Sequence, residues 1–104
     1  MKFLVCTWPK PAVLKTPPAP EAFEAQINWF RDHLASGAIE RAYHGDDRAV
    51  MVMDQASRED LDRLLDQVPL SEQMERSVEP LIDLFEHTAG VLAYLRRGAT
   101  RTTG

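Results

Sequence analysis

The chain has 104 residues, 44% hydrophobic and 27% charged, which is ordinary for one soluble globular domain. The net charge of −4 and the scattered Lys and Arg residues argue against a nucleic-acid partner, which needs a basic stripe. The single cysteine, Cys6, excludes an internal disulfide and a cysteine-based zinc site. No apolar run reaches the roughly 18 residues of a membrane span, and prolines interrupt the short apolar N-terminus. We therefore expect a cytoplasmic protein without a membrane partner.

The first part of the chain predicts a strand, a stiff loop and a helix. Residues 3–8 are apolar and are expected to form a strand buried on both faces. Prolines make residues 9–20 a stiff connecting loop, because each proline fixes φ and removes a donor. A helix follows, in which apolar side chains recur at helical spacing at Phe23, Ile27, Phe30 and Leu34. Gly37 is the predicted helix stop.

A β-hairpin is predicted over residues 38–54. Residues 38–44 alternate, and residues 48–54 return after the turn sequence Gly-Asp-Asp. Strict alternation puts Ile39, Arg41 and Tyr43 on one face of the first hairpin strand and His44 on the other.

The second half predicts another helix and a last strand. Ser57 begins a capping box with an acid, Asp60, three residues later, and the helix stripe runs to Val68. Residues 78–85 are expected to form the last strand, in which Pro80 indicates a sheet edge or a bulge.

This order of elements predicts an α+β, ferredoxin-like βαββαβ domain over residues 1–97, with an antiparallel sheet and both helices on one face. Residues 98–104 are expected to form a flexible C-terminal tail. The uncovered sheet face is apolar, so we expect it to pack on a second copy in a homodimer or higher homo-oligomer. Residues 89–97 form an apolar segment that can pack on that partner.

Part of the sequence resembles the muconolactone isomerase family of small dimeric α/β-barrel proteins. The resemblance covers roughly residues 34 to 87 and rests on these residues: Gly37, Asp54, Ser57, Leu61, Leu64, Val68, Pro69, Leu70, Met74, Glu86 and His87. It implies the dimeric barrel fold and a role in aromatic catabolism.

The chain also departs from that family. The family's first helix carries an acid and a lysine near the positions of Gln26, Ile27 and Asn28. An isomerase that moves a double bond needs a base beside the substrate and a donor for the enolate oxygen. Without the helix acid, the base has to come from elsewhere or the activity has changed.

Four side chains are candidate catalytic groups. His44 follows the first hairpin strand and can act as a base, with Asp46 or Asp47 to orient it. His87 matches a family histidine by position. Arg41 and Tyr43 can bind a carbonyl or carboxylate. For each, a structural role at a strand end, a turn or a dimer interface is the alternative.

Five further residues are candidates for substrate binding: Gln26, Trp29 and His33 on one flank of the first helix, and Met51 and Met53 in the hairpin. The alternative, which the residue types favour, is packing at an amphipathic boundary for the first three and core filling for Met51 and Met53. The three histidines are far apart in sequence, so we expect neither a metal site nor a cofactor.

The leading hypothesis is a cofactor-independent isomerase, of the intramolecular oxidoreductase type, that acts by proton transfer on a lactone or aromatic-derived metabolite. A cofactor-free oxygenase or cyclase on a polyketide-like substrate is a second hypothesis. A non-catalytic module of the same fold for small-molecule binding or assembly is the third, because a fold alone does not determine function.

Overall fold

The structure, a computed structural model, describes the backbone of residues 1–103 and the side chains of residues 1–99. In chain order the elements are β1 (Lys2–Pro9), α1 (Pro11–Lys15), α2 (Pro20–Ser36), β2 (Ile39–His44), β3 (Ala49–Asp54), α3 (Arg58–Leu65), a 3-10 turn (Ser71–Gln73), β4 (Met74–Leu81) and α4 (Leu84–Thr103).

The four strands form one sheet in the order β2-β3-β1-β4, and all neighbouring strands are antiparallel. The helices α2 and α3 cover one face of this sheet, where Leu61 and Leu65 of α3 join the buried side chains of the strands. This is the ferredoxin-like α+β arrangement, and the predicted fold class is therefore confirmed. Within the segment predicted to be a loop, residues 11–15 form the short helix α1.

The core lies between the sheet and these two helices. Phe3 and Val5 of β1 are 1% and 0% exposed, whereas Leu4 and Cys6, which point to the opposite face, are only half-buried. The prediction that β1 is buried on both faces is therefore wrong for the single chain, because α2 and α3 lie on one side only. We call the uncovered side the open face. On β1, β2 and β3 it carries Leu4, Cys6, Trp8, Arg41, Tyr43, Val50 and Val52, and on β4 it carries the polar residues Glu75, Ser77 and Glu79.

A β-bulge in β2 changes the face on which each of its side chains lies. Ile39 pairs with Met53, and Arg41 pairs with Val52, the neighbour of Met53 in β3. Glu40 is therefore the extra residue. Ile39 therefore lies on the helix-covered face, in the core, and not beside Arg41 and Tyr43 as strict alternation predicted. The carboxylate of Glu40 binds the Lys2 ammonium at 3.0 Å and raises the pKa of that group.

The last strand begins earlier than predicted. β4 starts at Met74 and ends at Leu81, because residues 74–76 already pair with the end of β1. The chain then turns into α4, where the Asp83 carboxylate accepts hydrogen bonds from the N–H groups of Phe85 and Glu86 at 2.8 and 3.1 Å. The predicted strand over residues 78–85 is thus wrong in its second half. Since β4 is an edge strand, the edge position inferred from Pro80 is confirmed.

After β4 the chain forms a long helix from Leu84 to Thr103. α4 includes the apolar segment 89–97 and continues to Thr103, past the predicted domain end at residue 97. Every side chain described in it, over residues 84–99, is exposed. The flexibility predicted for residues 98–104 stays a prediction, and Gly104 lies outside the described residues.

Two helix boundaries read from the sequence are confirmed. Gly37 ends α2 with φ of 86°, a left-handed conformation that glycine adopts without steric cost. Ser57 caps α3, and its hydroxyl accepts a hydrogen bond from the N–H of Asp60 at 3.1 Å. The helix ends at Leu65 rather than Val68.

The cap at Ser57 gives a first test of the local structure. Replacing Ser57 with Ala removes the acceptor for the Asp60 N–H and should lower the free energy of unfolding by about 1 kcal/mol. In a thermal melt this corresponds to a Tm lower by about 4–8 °C. Ser57→Asp retains an acceptor and should keep most of the stability. Equal melting of Ser57→Ala and the parent would contradict the assignment of the cap.

Candidate functional site

A pocket of about 400 Å³ opens on the helix-covered face, at the end of the sheet where β1 ends and β3 begins. The sheet forms its floor, and the α1–α2 segment and the turn before β4 form its walls. Its lining is mainly apolar and consists of Thr7, Pro9, Val13, Pro18, Phe23, Gln26, Ile27, Phe30, His44, Ala49, Leu70, Gln73 and Met74. This volume is in the range that holds one small organic molecule.

The pocket exists because the first half of α2 does not pack against the sheet. Phe23 and Ile27, predicted to belong to the core stripe, line the pocket and remain 51% and 37% exposed. Leu34 is also 41% exposed. Of the predicted stripe, Phe30 packs against the core, together with Trp29, and the two rings meet edge to face at 5.4 Å.

Gln26 joins α2 to the opposite wall of the pocket. It is 8% exposed, and its side-chain oxygen accepts a hydrogen bond from the backbone N–H of Leu70 at 3.2 Å. This bond links residues 44 positions apart in sequence. A buried amide that is already engaged in this way holds the pocket's shape and, through its NH₂ group, still offers donors to a ligand.

His44 is the one titratable side chain among the described residues that line this pocket. The bulge at Glu40 places it on the helix-covered face, where it pairs with Ala49. Its Nδ1 atom is in hydrogen-bond contact with the carbonyl oxygen of Gly45. Because a carbonyl only accepts, Nδ1 donates, and in the neutral ring Nε2 then keeps the lone pair that can take a proton.

The hydrogen-bond partner of His44 is thus a backbone carbonyl, whereas the sequence analysis allowed Asp46 or Asp47 to orient the ring. Asp47 is engaged by Arg48, whose guanidinium bonds its carboxylate at 3.0 and 3.3 Å. This contact lowers the pKa of Asp47. Arg48 also lies over the ring of Trp8, at 5.0 Å from its centroid, on the open face.

A small recess of about 30 Å³ adjoins the main pocket and reaches toward α3. Met51 and Arg76 line it together with Thr7 and Gln26. The guanidinium of Arg76 bonds Asp66 at 3.0 Å and Asp62 at 3.4 Å, so its charge is balanced by α3. The sequence analysis missed Thr7, Gln73 and Arg76; alternation along β1 from the buried Phe3 and Val5 is the signal that would have identified Thr7.

The structure brings together only part of the predicted site. Gln26 and His44 line the main pocket, and Met51 lines the recess. The others lie elsewhere: Met53 in the core, Trp29 and His33 stacked on each other at 3.7 Å, Arg41 and Tyr43 on the open face, and His87 on α4. His87 does not end a strand, because β4 stops at Leu81. The catalytic and binding roles given to these residues stay predictions.

Over residues 1–99 the structure shows no group of three or more His, Cys, Asp or Glu side chains placed to hold a metal ion. In the same part of the chain no helix combines the length and apolarity that crossing a bilayer requires.

The fold is shared with a solved enzyme structure. The chain is similar to 5-chloro-2-hydroxyhydroquinone dehydrochlorinase from Burkholderia phenoliruptrix AC1100, determined in complex with 2,5-dihydroxybenzoquinone. The TM-score is 0.60 at 14% sequence identity, over 79% of this chain and 94% of that one. At this identity the likeness shows the fold alone. No model of a known protein family matches the sequence, and no curated protein matches it.

The bond from Leu70 to Gln26 provides a test of how the pocket is held. Gln26→Leu leaves the buried N–H of Leu70 without its acceptor and should lower the free energy of unfolding in urea by about 1–3 kcal/mol. Gln67→Leu, at an exposed glutamine after α3, is the matched control and should change it by less than about 0.5 kcal/mol. Equal effects of the two changes would show that the pocket wall does not depend on this bond.

Proposed function

We propose that this chain is a small enzyme that acts by proton transfer on an aromatic or lactone-type metabolite, with His44 as the base. The observation that carries the proposal is one imidazole on the wall of a mainly apolar pocket of about 400 Å³. An apolar pocket with a few polar groups is the usual form of a small-molecule site. Such a mainly apolar lining suits the face of a flat ring.

The geometry supports a simple role for each polar group. The Nε2 atom of His44 takes a proton from the carbon beside a carbonyl, while Nδ1 stays bonded to Gly45. The hydroxyl of Thr7 and the side-chain amide of Gln73, both on the pocket wall, can donate to the oxygen that becomes negative. Return of the proton at another carbon completes an isomerisation without a cofactor. His44 thus takes the place of the missing helix acid.

The resemblance to the muconolactone isomerase family and the likeness to the dehydrochlorinase both favour a ring-shaped substrate of aromatic catabolism. Membership of that family and the particular reaction are part of this proposal. The pocket is equally able to hold a ring without reacting with it. The experiment therefore has to distinguish the proposed enzyme from a non-catalytic binding module of the same fold.

The test is proton NMR with muconolactone in deuterated buffer, which follows deuterium uptake at the carbons beside the carbonyl. We expect uptake with the parent protein and a loss of about 10²-fold or more in His44→Ala, the usual contribution of a general base. His33→Ala is the matched control, because His33 lies on the flank of α2 and donates from Nδ1 to the carbonyl of Trp29 at 2.7 Å. Its uptake rate should stay close to that of the parent.

Two results would contradict the proposal. Full uptake in His44→Ala would remove His44 as the base. If no uptake occurs, titration with 2,5-dihydroxybenzoquinone, the ligand of the similar enzyme, decides between the alternatives. Binding without turnover, lost on filling the pocket by Ala49→Phe, would indicate a binding module instead.

We also propose that the open face pairs two copies in a dimer. It combines half-buried apolar side chains, including Leu4, Val50 and Val52, with the exposed ring of Tyr43 at 67%. An apolar sheet face of this kind is seldom left in contact with water. Tyr and Arg are also enriched at protein interfaces, which suits Tyr43 and Arg41.

Sedimentation of a charged variant tests this pairing. Val52→Lys places an ammonium group in the middle of the open face and should convert the dimer into monomers at micromolar concentration. Asp46→Lys introduces the same side chain in the β2–β3 turn, outside the open face, and should leave the dimer intact. A parent protein that sediments as a monomer, or a Val52→Lys variant that remains dimeric, would rule out the open face as a dimer interface.

A further inference from the structure

One row of the sheet joins His44 to the recess beside the main pocket. His44 pairs with Ala49, which pairs with Thr7 on the next strand. Thr7 in turn pairs with Arg76 of β4. Directly opposed residues project to the same face of a sheet, so the four side chains lie in one line across the helix-covered face. His44 is at one end of this row and Arg76 at the other, about 14 Å apart at the usual strand spacing.

The recess and the main pocket share part of their walls. His44 lines only the main pocket and Arg76 only the recess, whereas four residues line both cavities: Thr7, Gln26, Phe30 and Met74. The recess measures about 30 Å³, more than the roughly 10–15 Å³ that one water molecule needs and too little for a ring. A ring therefore stays in the main pocket, and only a small substituent of it enters the recess.

Hydrogen-bond donors and acceptors both line the recess. The side-chain oxygen of Gln26 is engaged by the N–H of Leu70, so its NH₂ group is the part left to donate. Arg76 adds a guanidinium with five N–H donors. The hydroxyl of Ser71 donates to the carbonyl of Asp66 at 3.3 Å, and its oxygen keeps lone pairs that can accept. A hydroxyl substituent both accepts and donates, so it matches this set, whereas a methyl group of similar size does not.

The charge of Arg76 is already balanced by two aspartates. Its guanidinium bonds Asp66 at 3.0 Å and Asp62 at 3.4 Å, and Asp62 also binds Arg58 at 3.3 Å. Together these two arginines and two aspartates carry no net charge. A carboxylate in the recess would place an unpaired negative charge beside the aspartates, which costs free energy. The recess therefore suits a neutral substituent.

We propose that the recess is a subsite for a neutral hydroxyl group on the ring that the main pocket holds. Gln26 and Arg76 donate to the hydroxyl oxygen, and Ser71 accepts its proton in a hydrogen bond. The ring then lies along the row, with this hydroxyl at the end remote from His44.

This inference deepens the proposed function, because it names hydroxylated rings as the preferred class of ligand, and it rests on that function for the place of the ring in the main pocket. Recognition of the hydroxyl does not depend on proton transfer by His44. Muconolactone carries no ring hydroxyl, so its deuterium uptake reports on the base and not on the recess.

NMR titration with two ring probes, hydroquinone under argon and toluene, tests the subsite. Arg76→Met removes the guanidinium and should weaken hydroquinone binding about tenfold, while toluene binding changes less than about twofold. Arg63→Met is the matched control, because Arg63 binds Asp60 at 3.1 Å and its side chain is 73% exposed. This control should bind both probes like the parent.

A second variant leaves the ion pairs of Arg76 in place. Val68 is 8% exposed and lines the recess but not the main pocket. Val68→Ile adds one methylene that occupies the recess, so hydroquinone should again bind about tenfold more weakly and toluene about equally well. In the ¹⁵N-labelled parent, the side-chain NH₂ signals of Gln26 should shift with hydroquinone and not with toluene.

Three outcomes would overturn the subsite. The first is a parent protein that does not bind hydroquinone. The second is unchanged hydroquinone affinity in either variant that folds like the parent, as judged by its NMR spectrum. The third is an equal loss of hydroquinone and toluene binding, which would show damage to the pocket rather than loss of hydroxyl recognition.

The subsite and the proposed function fail separately. Selective loss of hydroquinone binding in Arg76→Met, without deuterium uptake from muconolactone in the parent, would leave the subsite in place and remove the proton-transfer reaction. Uptake that depends on His44, with hydroquinone bound equally by the parent and Arg76→Met, would do the reverse.

Discussion

The extra residue in β2 decides what chemistry the helix-covered face can carry. With Glu40 bulged out, Ile39 turns into the core and His44 turns toward the pocket. Without the bulge, strict alternation would place Ile39 and His44 on opposite faces, because they are five positions apart. The same bulge leaves Arg41 and Tyr43 on the open face. One irregularity of the backbone therefore separates the side chains on the pocket side from those on the open face.

The pocket depends on a second feature, the incomplete packing of α2. The helix is anchored to the core by Trp29 and Phe30 and to the turn before β4 by Gln26. In the first half of the helix, Phe23 and Ile27 line the pocket instead of packing against other side chains of the core. If α2 packed closely on the sheet along its whole length, the core of the domain would be larger and the pocket would not exist. The apolar residues that would have completed the core instead form the walls of a cavity.

Both features leave apolar side chains of the single chain outside its core. The apolar side chains of the open face, the exposed side chains of α2 beside the pocket and the apolar side chains of α4 all lie outside the core. A domain of about 100 residues buries a modest share of its unfolded surface, so a partner that covered these surfaces would add to its stability.

Local signals in the sequence determined the hairpin turn, the cap at Ser57, the stop at Gly37 and the order of elements, since each depends on a few neighbouring residues. They also fixed the ferredoxin-like topology, because connections of this length leave few alternatives. For the site, they identified His44 and Gln26 but grouped them with Trp29, Tyr43 and His87. Only the tertiary structure decided which of these meet. The bulge, the incomplete packing of α2 and the change from strand to helix after Leu81 depend on packing between distant segments, which the periodicity of a single segment does not reveal.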